Sequence, residues 1–293
     1  MASMKNTAPD TGPIELPADS HVHSQWSWDA LAGSMQGACQ RAAEIGLPGL
    51  AFTEHADFTP WSLSPGEKVP DRWRSLVRDG VLTPPPLDLH GYQDCLRHCR
   101  ERFPGLHIMS GVELSEPHWH PSSTAALLGS GGFDRVLAAV HSAPAPAGFT
   151  DVSSRLRELA PAQVLRGYLA ETATLIAQFG AFDILAHIDF PVRYWPHDAE
   201  PYDARDFQDE YRQVLRTLAT AGKALEVNTR VPLHSQILTW WRQEGGQAIT
   251  FASDTHDPAA LAAGFTQAAQ MADAAGFGHG HDPCDFWHRK KSG

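Results

Sequence analysis

The sequence predicts an α/β fold built on a parallel sheet, and three observations carry that prediction. Short apolar runs alternate with helix-like stretches about seven times along 293 residues. The apolar runs lack clean in–out alternation, as expected of strands covered on both faces. No linker or fixed-period repeat divides the chain, so the alternation belongs to one domain. At this level a parallel barrel and a doubly wound sheet both satisfy the pattern.

In chain order, residues 1–14 are polar and punctuated by Pro and Gly, the composition of a disordered lead-in. A first strand runs into "DSHVH", ending at His21 and His23, and a helix is expected over 34–45. "GLAFTEH" (49–55) is the second strand. Residues 57–89, rich in proline with "PPP" at 84–86, interrupt the rhythm and read as an insertion passing over one face. A helix over 90–102 leads to the strand "HIMSGVEL" (107–114), and "RVLAAVHS" (135–142) follows. Residues 162–179 have the clearest 3.6 period, with Leu165, Tyr168, Leu169, Thr172, Leu175, Ile176 and Phe179 on one stripe. "DILAHID" (183–189), a helix over 204–221, "ALEVNTR" (224–230), a helix over 234–244, "AITFASDTH" (248–256) and a helix over 258–274 complete the series. The principal domain is expected over 15–275, and an aromatic-rich tail occupies 276–293.

Acidic residues outnumber basic ones by 34 − 23 = 11, a balance that repels long nucleic acids unless positive charge is concentrated locally. Bound divalent ions would supply such a concentration. Cys39, Cys95, Cys99 and Cys284 form no Cys-x-x-Cys pair and read as small buried hydrophobes of a reduced, cytoplasmic protein. There is no apolar secretion signal, and no apolar run approaches the ~20 residues that span a bilayer, so a membrane partner is not expected.

Every strand-like run ends in a potential metal ligand: His21 and His23, His55, Glu113, His141, His187, Asn228 with Arg230, and Asp254 with His256. In parallel α/β architectures side chains converge on a site at the C-terminal strand ends. Imidazoles and carboxylates without thiolate suit catalytic Zn²⁺, Mn²⁺ or Fe²⁺ rather than a closed structural zinc. Residues two apart on a strand share a face, so His21 with His23 and Asp254 with His256 can each chelate one ion. Glu113, a carboxylate, can bridge two.

The ordered set "HVH", "TEH", "GVE", "VHS", "AHID" and "SDTH" resembles the PHP (polymerase and histidinol phosphatase) superfamily, and within it the stand-alone histidinol-phosphate phosphatases, from about residue 16 to 275. The resemblance implies a distorted (β/α)7 TIM-like barrel with three divalent metals (Zn, Mn or Fe) at its C-terminal face. By position, His21, His23, Glu113 and Asp254 would hold the first metal, and Glu113, His141 and His187 the second. His55, His256 and Asp29 would hold the third; many family members carry histidine where this chain has Asp29. The implied activity is hydrolysis of a small phosphorylated metabolite, L-histidinol phosphate in histidine biosynthesis, by a metal-bridging hydroxide. The leaving alcohol would take its proton from bound water or from Asp254 or His256.

Arginine suits tetrahedral oxyanions through its forked donors, which makes Arg193 and Arg230 candidates for the phosphoryl group, with Asn228 on the same face as Arg230. Just beyond Glu113, Glu116 is a candidate contact for a cationic substrate group and His118 a candidate substrate contact. Asp57 and Asp189, two after His55 and His187, are placed to orient those imidazoles. Glu54 is expected on the opposite side of its strand and receives no role. Trp26, Trp28, Trp61, Trp73, Trp119 and Trp195 are expected around the mouth. Two rival readings use the same ligands: a phosphodiesterase or exonuclease acting on nucleotides or short oligonucleotides, and a non-catalytic metal-stabilised module.

Overall fold

The computed structural model describes residues 16–64 and 66–291; the expected disordered lead-in at 1–14 lies outside them. Seven parallel strands form the centre: β1 (Asp19–Val22), β2 (Gly49–Asp57), β3 (His107–Ser115), β4 (Arg135–Ala139), β5 (Ile184–Leu185), β6 (Ala224–Asn228) and β7 (Ala248–Ala252). They hydrogen-bond in chain order, and β1 also pairs with β7 through Asp19 and Phe251, which closes the barrel. The alternation of strands and helices fits a barrel and a doubly wound sheet alike, and this one pairing bears out the barrel that the family resemblance implies.

A helix follows each strand: α1 (Met35–Ile45), α2 (Leu89–Arg102), α3 (Pro121–Gly131), α4 (Pro161–Gln178), α5 (Gln208–Thr220), α6 (Ser235–Gln243) and α7 (Phe265–Ala274). Local chemistry sets their starts. Ser34 and Asp88 cap α1 and α2 by accepting from the backbone amides of Gly37 and Gly91, and Pro161 opens α4 where no amide donor is needed. The helix α3 has no clear apolar stripe and was not anticipated. The expected helices at 204–221 and 258–274 each begin with a 3-10 turn, at Ala204–Phe207 and Pro258–Ala260.

Strand alternation sorts the barrel into two apolar compartments. Leu50, Phe52, Ile108, Leu185, Leu225, Val227, Ile249 and Phe251 join one large core with the helices. The alternate residues face inward, and along each strand they change from apolar to polar: Ala51, Thr53, His55 on β2; Met109, Gly111, Glu113 on β3; Ala224, Glu226, Asn228 on β6. Space inside is tight. A Cβ on Gly111 would lie 2.6 Å from the methyl of Thr53.

The tail packs on its own barrel. Phe277–Gly278 pairs with Trp287–Arg289, and the latter runs antiparallel to β7. Cys284 joins Ala18, Ala51 and Met109, while Phe286 packs against Leu137, Ile184 and Ala224. The insertion at 57–89 carries a small antiparallel sheet of Trp61–Ser62, Val77–Arg78 and Val81–Leu82 and a 3-10 turn at Asp71–Leu76. A hairpin, Ser142–Ala145 with Gly148–Asp151, follows β4. No helix among the described residues is long and apolar enough to cross a membrane.

Candidate metal centre

Glu113 stands at the centre of the C-terminal mouth, fully buried, and its two oxygens face different groups of imidazoles. Oε2 lies 3.2 Å from His21 Nε2, 3.5 Å from His23 Nε2 and 3.1 Å from His55 Nδ1. Oε1 lies 2.8 Å from His187 Nε2 and 3.4 Å from His141 Nε2. Asp254 Oδ1 approaches His23 Nε2 at 3.4 Å and His21 Nε2 at 3.8 Å. Asp29 reaches His55 Nε2 at 3.4 Å through one oxygen and His256 Nε2 at 3.3 Å through the other. All nine side chains anticipated as ligands therefore meet in one cluster. Asp254 holds a left-handed backbone, φ 50°, a conformation costly for a residue with a side chain and concentrated at functional sites.

The surroundings turn the imidazole lone pairs inward. His21 Nδ1 lies 2.8 Å from Glu226 Oε2, so it carries the proton and its Nε2 presents a lone pair to the cluster. His23 Nδ1 contacts Ser27 Oγ at 2.9 Å, and that hydroxyl donates onward to Glu54 Oε2 at 2.6 Å. A hydroxyl has one proton, so Ser27 must accept from His23 Nδ1–H, which again bares Nε2. His141 repeats the device through Ser115 and Asp57: its Nδ1 is 2.6 Å from Ser115 Oγ, which donates to Asp57. In the neutral form that a cation would select, these three imidazoles turn Nε2 lone pairs toward Glu113 and Asp254.

Without a cation this arrangement conflicts with itself. The Nε2 atoms of His21 and His23 face each other at 2.9 Å, and among the described residues Glu113 Oε2 and Asp29 Oδ1 are buried without a hydrogen-bond partner. Burial opposes charge on His21, yet Glu113, Glu226 and Asp254 outweigh it and hold that imidazole well above its ordinary range. Burial and the adjacent rings of His55 and His256 push His23 well below it. Glu113 is held well below the usual carboxylate range, because His21 and His141 overcome the cost of its burial. A donor set of imidazole nitrogens and carboxylate oxygens, with ligand atoms within 4.8 Å of one another in four overlapping groups, fits divalent cations.

Arg193 and Arg230 both converge on Asp254. Arg193 pairs with its Oδ2 and is nearly buried, whereas Arg230, 45% exposed, donates to its backbone oxygen at 3.0 Å and to His256 Nδ1 at 3.1 Å. Both line a cavity of about 800 Å³ above the cluster. Three anticipated substrate contacts do not reach it. Asn228 is buried with its amide directed to Glu226 at 2.8 Å and Asp254 at 3.4 Å. Glu116 is buried and accepts from Thr59, His141 N, Ser142 N and Ser142 Oγ, so its charge serves the protein. His118 pairs with Glu171 at 2.7 Å beside a separate cleft.

Other expectations change in detail. Asp57 orients His141 more closely than His55, at 3.4 Å against 4.0 Å. Asp189 makes no bond to His187, whose Nδ1 has no partner among the described residues. Trp28, Trp61 and Trp73 line the cavity, whereas Trp26 packs toward Gly91, Trp119 against Phe149 and Trp195 against Tyr202. Sequence reasoning missed Glu226 and underrated Glu54. Glu226 precedes Asn228 by two on the inward face, and a charged residue inside "ALEVN" was a signal. Glu54 does face away from the cluster, as expected, but there it anchors the turn that carries His23 by accepting from Ser24 N at 3.0 Å.

A PHP domain model matches residues 19–230. The chain is 26% identical over 245 residues to a histidinol-phosphatase of Lactococcus lactis subsp. lactis (81% of this chain, 83% of the relative). It is also 26% identical over 286 residues to a probable histidinol-phosphatase of Deinococcus radiodurans (93% and 97%). Among solved structures, the histidinol phosphate phosphatase of L. lactis, complexed with zinc, L-histidinol and phosphate, superposes with a TM-score of 0.74 at 22% identity (92% of this chain, 98% of that chain). A putative histidinol phosphatase from Listeria monocytogenes gives 0.69 at 16% identity (85% and 99%). These two likenesses show the shared barrel. With the family model covering most of the barrel and the cluster lying where its strands end, the chain belongs to the PHP domain family.

Proposed function

We propose that this protein is a metal-dependent phosphomonoesterase acting on L-histidinol phosphate in the cytoplasm, with three divalent ions (Zn, Mn or Fe). The observation that carries the reading is Glu113, whose two oxygens serve two imidazole groups from the centre of the cluster. His21, His23, Glu113 and Asp254 would hold one ion, Glu113, His141 and His187 a second, and Asp29, His55 and His256 a third. Bound there, divalent ions lower the pKa of water and neutralise charge on a phosphoryl group. Two relatives with histidinol-phosphatase names cover most of this chain, which supports the substrate.

The chain's own groups do the rest. Arg230, the more exposed of the two arginines, presents guanidinium donors at the cavity floor beside His256, where phosphoryl oxygens would lie. Arg193 offsets the charge of Asp254 from below and stacks 5.0 Å from the Phe190 ring, which fixes its plane. His256 sits at the solvent edge with Nε2 toward Asp29 and Nδ1 accepting from Arg230, placed to hold the third ion together with Asp29 and His55. The net charge of −11 disfavours long polyanions.

The test is removal and restoration of metal, with two substrates. Dialysis against chelator should abolish release of phosphate from L-histidinol phosphate, and Zn²⁺, Mn²⁺ or Fe²⁺ should restore it, while a dinucleotide is not cleaved. Turnover that persists in metal-free protein, or a preference for the dinucleotide, overturns the proposal.

A further inference from the structure

Three indoles from separate segments line the cavity beside the cluster: Trp28 from the loop after β1, and Trp61 and Trp73 from the insertion. The ring of Trp28 lies 4.9 Å from that of Trp73 and 5.8 Å from that of Trp61. All three are half-buried, and none packs against an apolar core cluster among the described residues. Indoles held outside the core present apolar faces to whatever occupies the cavity.

Their polar edges show how they are held. Trp28 Nε1 donates to Asp57 Oδ2 at 2.7 Å, and Trp61 Nε1 donates to Ser142 Oγ at 2.8 Å. Asp57 and Ser142 adjoin the ligand His141, so both rings are referenced to the metal cluster. Trp73 differs: its Nε1 is buried without a partner among the described residues, as is Nε of the preceding Arg72. Buried donors left unpaired cost free energy, and two in neighbouring residues at one cavity wall mark a place for an acceptor that comes with a ligand. Arg72 also donates through Nη2 to the backbone oxygen of Asp29 at 3.3 Å, joining this wall to the third ligand group. Its guanidinium lies 5.6 Å from the Trp73 ring, and no carboxylate among the described residues pairs with it. That unpaired positive charge works against a cationic guest.

We infer that Trp28, Trp61, Trp73 and Arg72 form a leaving-group subsite for an uncharged flat aromatic ring carrying a hydrogen-bond acceptor. The ring packs on the indoles, and its acceptor atom takes the Trp73 or Arg72 proton. The inference deepens the phosphomonoesterase reading and rests on it for the position of the phosphoryl group; a neutral imidazole has the required shape and lone pair. It makes the insertion a determinant of specificity.

The experiment compares the metal-loaded wild type with Trp73→Ala and Trp73→Phe at about pH 8, above the ordinary imidazole range. Thermal melts confirm that each variant is folded. For L-histidinol phosphate, Trp73→Ala should raise KM about tenfold with kcat within about twofold, and Trp73→Phe should recover part of the loss through its ring. For glycerol phosphate, which has no ring, KM should not move. An equal rise on both substrates, or no rise on either, overturns the subsite. Calorimetry of L-histidinol alone separates the two claims, because it needs no turnover. If the wild type hydrolyses no phosphomonoester, the catalytic reading falls, and the subsite then stands on about tenfold weaker L-histidinol binding by Trp73→Ala. Absence of binding to the wild type overturns it.

Discussion

The two ends of the barrel are built from the same strands and obey opposite rules. At the N-terminal end the inward residues are Ala51, Met109, Leu137, Ile184 and Ala224, closed over by Cys284 and Phe286 from the tail. At the C-terminal end, four residues further on, four of these five columns carry His55, Glu113, His141 and Asn228. Both ends are buried, so burial alone says nothing about function. The difference lies in what satisfies each end. Apolar packing is complete within the chain, whereas among the described residues the polar cluster leaves carboxylate oxygens without a partner, a donor set that fits divalent cations.

Two substitutions break the contrast from either side. Glu113→Gln replaces one of the two carboxylate oxygens with an amide NH2, so that one imidazole group loses its acceptor, while keeping the shape of the side chain. We expect metal content to fall and kcat to drop by at least about 10³-fold, corresponding to roughly 4 kcal/mol of lost stabilisation. Retention of both would show that Glu113 is not shared between ions. Trp287→Ala acts at the other end. Trp287 is 3% exposed and packs edge-on against Phe251 at 4.8 Å, so its removal should cost about 3–5 kcal/mol in denaturant unfolding. Metal stoichiometry and kcat of the folded enzyme should stay at wild-type values. A Trp287→Ala enzyme that folds normally but loses metal would erase the distinction between the ends.

The barrel and the ligands were legible because each rests on a periodic signal. Strand ends recur, and residues two apart share a face, so His21 with His23 and Asp254 with His256 could be placed from spacing. The nine candidate ligands meet because closure brings seven strand ends together, and the resemblance to a known family supplied that closure. The wall of the cavity was less legible. Whether Glu116 faces substrate or protein depends on where Thr59 and Ser142 fall, and those contacts join segments far apart in the chain. His118 is taken by Glu171 from α4 for the same reason. Asn228 was given the correct face, but Glu226 beneath it claims its amide. Long-range partners of single polar groups leave no pattern in a sequence.

Glu226 and Ser27 sharpen the comparison with smaller effects, since neither belongs to the ligand set. Glu226→Gln keeps a carboxamide near His21 but replaces one acceptor oxygen with a donor, so His21 Nδ1–H loses its charged partner. Metal affinity or kcat should fall about 10- to 100-fold with little change in fold stability. Unfolding of that variant, in place of metal loss, would make Glu226 a structural group only.

Ser27 is the finest test. Its hydroxyl donates to Glu54 Oε2 at 2.6 Å and accepts from His23 Nδ1 at 2.9 Å and from His55 N at 3.0 Å, so every bonding position is used. Ser27→Ala leaves three polar groups without that partner in a site closed to water, yet it alters no ligand. His23 then loses the contact that places its proton on Nδ1, and the other tautomer would direct N–H at the cluster and compete with the cation. A metal titration of the variant should show about tenfold weaker binding at the group containing His23, with the remaining ions unaffected. Ser27→Thr keeps the hydroxyl and should restore affinity wherever its added methyl is accommodated. Unchanged affinity in Ser27→Ala would mean that the cation alone sets the His23 tautomer, and that the polar mouth depends less on its hydrogen-bonded support than the apolar end does on its packing.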